Sequence, residues 1–165
     1  MAAIIPDNPS TSQHRADHGD EAFVELTTPL VESQIDAGDP DDPVARQFRI
    51  DPRESLEVPG FGADPVGDLD ANAVPGVLHK YHGRALLVLT GACAVHCRYC
   101  FRRHFPYGDQ RLDEPALERA LDYLADDPDM TEVILSGGDP LVLSSRRLAG
   151  ILDRLAELPQ LRRLR

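Results

Sequence analysis

Ala85-Leu86-Leu87-Val88-Leu89 is the stretch that most limits what this chain can become. Five consecutive apolar residues have no polar face to offer water. As a strand they must be covered on both sides, which is the situation of a strand inside a parallel sheet. The residues that follow agree. Asp113-Glu114-Pro115 supplies an N-cap acid and a proline for a first helical turn. Leu117, Ala120, Leu121 and Leu124 then recur at helical spacing until Asp126-Asp127-Pro128 stops the helix. Glu132 to Ser136 reads as a second strand. A second amphipathic helix starts near Ser145 and turns Leu148, Ile151, Leu152 and Leu155 to one side before Pro159, and Leu161 to Arg165 begins a third strand. The order βαβαβ predicts an α/β fold with parallel strands and right-handed crossovers.

Folds of this kind place their chemistry in loops at the C-terminal ends of the strands. The loop after the first strand is Cys93-Ala-Val-His-Cys97-Arg-Tyr-Cys100, and it holds every cysteine of the chain. Thiolates this close together are ligands for soft metal centres. Disulfides fail on arithmetic, because three cysteines cannot all pair and no secretory signal leads to an oxidising compartment. Two metals stay open. Zinc would take three thiolates plus His96 or His104 in a closed tetrahedral site. An iron–sulfur cluster normally takes four cysteines, and one held by three keeps an iron open to a non-protein ligand. The loop after the second strand, Gly137-Gly138-Asp139-Pro140, offers close backbone approach and a carboxylate.

Charge divides the chain. Residues 1–70 carry 16 acids against 4 bases, so the net charge of -11 belongs to the N-terminal part. Between His79 and Arg111 there are six Lys or Arg residues and one acid, Asp109, an excess suited to phosphate and carboxylate ligands or to a solvated basic face. A pI near 4.8 without a stripe of aromatic and basic residues argues against nucleic acid. No run approaches the roughly 18 apolar residues of a membrane span, and the expected location is the cytoplasm. Lys80 is the only lysine among 17 basic residues.

Residues 1–20 lack apolar periodicity and are expected to be a disordered leader. Residues 21–75 are expected to form an N-terminal helical and extended segment. Phe23, Leu26, Leu30, Val31 and Ile35 would line a short helix interrupted at Pro29, Val44 to Phe48 a second, and Ile50 to Pro75 an extended surface connection that brings Val77-Leu-His-Lys-Tyr81 to the mouth of the site.

The string CAVHCRYCFRRHFPY, with HKYHGRALLV before it and ILSGGDPL after it, resembles the lysine 2,3-aminomutase branch of the radical S-adenosylmethionine (SAM) superfamily over about residues 23–165. Within that branch it looks most like the enzyme that makes β-lysine for attachment to elongation factor P. The resemblance implies a partial radical SAM (β/α) barrel over residues 76–165, with a [4Fe–4S] cluster held by Cys93, Cys97 and Cys100. The open iron would chelate SAM, and an electron from the cluster would cleave it to a 5′-deoxyadenosyl radical. Gly137, Gly138 and Asp139, with Tyr99 beside the last cysteine, would bind SAM. Lys80, Tyr81 and Arg84 would contact the phosphate of pyridoxal 5′-phosphate (PLP), with Lys80 standing where the family has an arginine and so losing the bidentate fork. Arg102 would take the carboxylate of the substrate lysine, while Arg103, His96 and His104 would be structural.

In that family PLP rests as a Schiff base on a lysine far downstream. The expectation is therefore an N-terminal piece of the enzyme, with catalytic residues outside it and a second chain as one source of the missing half. The alternatives are a non-catalytic iron–sulfur and SAM-binding module, or a zinc-binding domain.

Overall fold

A computed structural model describes residues 23–165, so the expected leader over residues 1–20 lies outside the described residues. Five strands form one open sheet in strictly sequential order: β1 (Asn72–Val74), β2 (Val77–Tyr81), β3 (Arg84–Thr90), β4 (Glu132–Gly137) and β5 (Arg163–Leu164). The parallel half is as expected. β3 pairs with β4 and β4 with β5 in parallel register, Leu86 opposite Ile134 and Val88 opposite Ser136. The other half corrects the all-parallel expectation, because β1 with β2 and β2 with β3 run antiparallel. The two-residue turn His82-Gly83 joins β2 to β3, a link too short for anything but a hairpin. β1 lies before residue 76 and belongs to the same sheet. The sheet does not close into a ring.

Two helices connect the parallel strands. α3 (Glu114–Asp126) starts where the Asp113 carboxylate accepts the Ala116 amide at 3.0 Å, and it ends at Asp127, held extended by the proline that follows. α4 (Ser145–Ala156) is capped by Ser144, whose hydroxyl accepts the Arg147 amide at 3.3 Å. Both helices lie on one face of the sheet. There Leu117, Ala120, Leu121 and Leu124 of α3 and Ile151 and Leu155 of α4 meet Val77, Ala85, Leu87, Leu89 and Val133. Covering a side chain of this size contributes about 1.5–3 kcal/mol, so this layer is the main source of stability.

The opposite face, which carries no helix, is covered by the segment after the cysteines. Phe105 and Tyr107 pack on Leu78, Leu86 and Val88, their rings meeting edge to face at 5.0 Å. The run Ala85–Leu89 is thus covered on both sides, by helices on the odd residues and by this segment on the even ones.

The N-terminal segment departs from expectation in one respect. Phe23 to Thr28 is not helical. Helix α1 is confined to Pro29–Glu32, with Thr28 capping the Val31 amide at 3.3 Å and Pro29 opening the helix instead of interrupting it. Helix α2 (Ala45–Phe48) falls where expected, and the connection after it contains a single 3₁₀ turn, Pro52–Ser55. No helix of the described residues is long and apolar enough to cross a membrane.

Candidate metal and cofactor site

β3 and β4 end side by side, Thr90 opposite Gly137, so the cysteine loop and the Gly-Gly-Asp turn leave the sheet as neighbours. Their backbones are then tied together. The Gly138 amide donates to the Thr90 carbonyl at 2.6 Å and the Asp139 amide to the Ala92 carbonyl at 2.8 Å. Only glycine fits at this crossing. Gly137 has φ +120°, and a Cβ there would lie 2.3 Å from the Thr90 oxygen. A Cβ on Gly138 would lie 2.2 Å from the Ala92 oxygen and 2.9 Å from the Cys93 sulfur. Tyr107, whose hydroxyl is pushed up by burial, donates to the Gly137 carbonyl at 3.0 Å and fixes the turn from the helix-free face. The Asp139 carboxylate caps the following 3₁₀ turn through the Leu141 amide at 2.9 Å.

Cys93, Cys97 and Cys100 are all free and half-buried. Burial pushes the Cys93 thiol up, and the nearby Cys100, the Asp139 carboxylate and Cys97 push it further. Three thiols on one short loop are a donor set that favours a soft, positively charged centre. Among the described residues no three His, Cys, Asp or Glu side chains close on a point that one metal ion could occupy. A tetrahedral zinc with Zn–S of 2.3 Å asks for sulfurs about 3.8 Å apart, whereas a cubane cluster spreads its thiolates over several irons. His96, one candidate fourth zinc ligand, instead places Nδ1 2.9 Å from the Val24 carbonyl and stacks on Phe23. His104, the other, is exposed. Three thiols on one loop match the protein ligand set of a cluster that keeps one iron free of a protein ligand.

Tyr99 is 68% exposed. Its hydroxyl donates to Gln47 Oε1 at 3.4 Å, and the neighbouring Cys97 thiol pushes it up.

Polar residues collect on the helix-free face of the sheet. Arg102 is buried. Its Nε donates to Asp68 Oδ2 at 2.7 Å and its Nη1 to the Ser136 hydroxyl at 3.0 Å, with the guanidinium over the Phe101 ring. Asp68 Oδ1 lies 2.6 Å from Lys80 Nζ, which also donates to the Val66 carbonyl. One carboxylate, 3% exposed, thus serves two cations that the resemblance assigns to different ligands. The three side chains carry a net charge of +1, which leaves the array receptive to one more anion. Replacing Asp68 by Asn should strand Arg102 and cost about 3–5 kcal/mol in urea unfolding. By contrast, Glu118→Gln at the exposed Arg154 pair should cost under about 1 kcal/mol.

Tyr81 and Arg84 sit elsewhere. They face each other across the β2–β3 turn, Arg84 pairs with the buried Glu132 at 2.8 Å, and Tyr81 is exposed. Six residues separate Arg84 from Thr90, about 20 Å along the strand. The three residues expected at the PLP phosphate are therefore not gathered into one cluster: Lys80 joins Arg102, while Tyr81 and Arg84 lie at the far end of the sheet from the cysteines.

Three further residues shape the site. Asp68 and Tyr107 have just been described. Glu54 lies in the 3₁₀ turn and accepts from Arg98 Nε at 2.8 Å and Arg103 Nη2 at 2.8 Å. The Arg98 guanidinium holds the Glu54 carboxyl down to about 2, with Arg103 and the Asp51 amide adding to the effect. Only a long-range pairing reveals these partners, and a single sequence carries no local mark of one.

A family model described as the Radical SAM superfamily matches residues 87–163. The chain is 46% identical over 132 residues to an L-lysine 2,3-aminomutase of Escherichia coli strain K12, which covers 80% of this chain and 38% of that protein. It is 45% identical to the L-lysine 2,3-aminomutase of Haemophilus influenzae over 80% of this chain and 39% of that protein. It is 35% identical to a putative L-lysine 2,3-aminomutase of Aquifex aeolicus over 98% of this chain and 43% of that protein. The chain spans about two fifths of the length of these relatives.

Proposed function

We propose that this chain, which belongs to the radical SAM superfamily, binds a [4Fe–4S] cluster through Cys93, Cys97 and Cys100 and binds SAM against Gly137-Gly138-Asp139, as part of an isomerase that converts L-lysine to β-lysine. The observation that carries the reading is the lacing of the Gly-Gly-Asp turn to the root of the cysteine loop by two backbone hydrogen bonds at the ends of adjacent parallel strands. When bound, the cluster supplies the electron that cleaves SAM reductively.

The residues of this chain do the holding. Gly137 and Gly138 let the turn cross directly against the Thr90 and Ala92 carbonyls, which sets Asp139 beside the root of the cysteine loop. Asp139 and the flanking carbonyls offer acceptors to an ammonium group, and Tyr99 adjoins Cys100. Arg102, held rigid between Asp68 and Ser136, is the cation for the substrate carboxylate. By resemblance Lys80, Tyr81 and Arg84 would hold the PLP phosphate, but only Lys80 stands with Arg102, so the residues present do not form one phosphate site. As the only lysine, already engaged by Asp68, Lys80 is a poor candidate for the Schiff base. In this reading that amine comes from outside these 165 residues, in further chain or in a second polypeptide. By the same resemblance, the product β-lysine goes to elongation factor P in the cytoplasm.

The lone, occupied lysine also favours a second reading, in which these residues by themselves form an iron–sulfur and SAM-binding module without turnover. Anaerobic reconstitution with iron and sulfide, followed by SAM and dithionite, tests both. The expected result is a brown protein with four irons per chain that forms 5′-deoxyadenosine, since reductive cleavage of SAM needs no PLP. A cluster that leaves SAM intact would favour the module. Colourless protein carrying zinc would overturn both readings.

A further inference from the structure

The cysteine loop is gripped from outside the sheet. The His96 amide donates to the Leu26 carbonyl and the Arg98 amide to the Gln47 carbonyl, each at 2.8 Å, so the residues on either side of Cys97 are hydrogen-bonded to the N-terminal segment. Arg98 and Arg103 both reach Glu54. The Phe23 ring lies 5.0 Å from the Arg98 guanidinium and 4.9 Å from that of Arg103, and it stacks on His96 at 4.7 Å. Arg98, with a side chain only 7% exposed, also donates to the Phe23 carbonyl at 2.9 Å. None of these contacts uses the core beneath the helices.

We infer that Glu54 is a positioning residue for the cluster loop, and that with Phe23 it forms a clasp that sets where the Cys97 thiol stands. The inference rests on the reading of Cys97 as a cluster ligand. The physical argument is local. Cys97 has its neighbours fixed by two backbone bonds to a segment that carries no buried helix of its own. Besides those bonds and the Phe23 ring, that segment is fastened by one carboxylate between two guanidiniums. Without the Glu54 charge, Arg98 and Arg103 face each other unpaired while largely buried, and the grip on the loop relaxes. Local opening of this kind exposes bound iron without global unfolding.

The test compares wild type, Glu54→Gln, Glu54→Asp and Phe23→Ala in the full chain after anaerobic reconstitution. Iron release to a chelator, the electron paramagnetic resonance line of the reduced cluster and the melting temperature of the iron-free protein are recorded for each. Glu54→Gln and Phe23→Ala should release iron about tenfold faster than wild type with a broadened resonance line, and Glu54→Asp, which keeps the charge, should fall between. Phe23→Ala leaves every charge in place, so it carries the test if Glu54→Gln fails to fold. Wild-type release rates and lines in both Glu54→Gln and Phe23→Ala would overturn the inference, whatever their melting temperatures. Wild-type protein that takes up no iron would overturn the cluster reading itself, a distinct result.

Discussion

Cys97→Ala should reduce iron from four per chain to near zero after reconstitution, and with it the brown absorbance and any 5′-deoxyadenosine. The expected loss is large because the loop has no substitute. All three thiols of the chain lie within Cys93–Cys100, and elsewhere among the described residues no three His, Cys, Asp or Glu side chains come together to take a metal in their place. The nearest imidazole, His96, is turned to the Val24 carbonyl and the Phe23 ring. With two thiolates left, a cubane would have two irons open to solvent and ready to leave. Iron and sulfide analysis reads the result directly. If Cys97→Ala retained a full cluster, the three-thiolate assignment would be wrong, and the open coordination position with it.

Gly138→Ala should be among the most damaging single methyl additions to the described residues. The new carbon would lie 2.2 Å from the Ala92 oxygen and 2.9 Å from the Cys93 sulfur, and neither belongs to a flexible side chain tip. Relief requires the backbone at Ala92 to move by about 1 Å, which breaks the Asp139–Ala92 hydrogen bond and displaces the first thiol. A cost above about 3 kcal/mol follows, or roughly 10 °C in melting temperature for a chain of this size. Gly150→Ala is the internal control. Gly150 lies inside α4 with open space around the added carbon, and alanine there should be neutral or stabilising by about 0.5–1 kcal/mol. Calorimetry on the iron-free proteins separates the two, and equal melting temperatures would mean that the turn and the loop are not in contact.

The parallel half of the fold could be read from the residues because burial on both faces writes itself into sequence. An unbroken run over Ala85–Leu89 and amphipathic stretches ending at prolines allow few other arrangements. The adjacency of the two loops followed from strand order alone. The antiparallel half was hidden for the opposite reason. Val77-Leu78-His79-Lys80-Tyr81 mixes apolar and polar residues in five positions, so its chemistry stood out while its pairing did not, although His82-Gly83 between two apolar runs was a turn signal. At Phe23–Ile35 the apolar spacing suggested a helix longer than the one that forms. A proline with a threonine before it is a start signal, and the residues ahead of Thr28 instead lie against the cysteine loop. Asp68 and Glu54 find their partners 34 and 44 to 49 residues away, and no periodicity encodes a pairing of that range.

The scarcity of amines gives the Lys80–Asp68 contact a practical use. Apart from the chain terminus, an acylating or reductively alkylating reagent has one primary amine to find, and its side chain is three-quarters shielded by Asp68 and its neighbours. Labelling at this nitrogen therefore follows the charge state and occupancy of the helix-free face, so the native protein carries its own chemical probe there without any substitution.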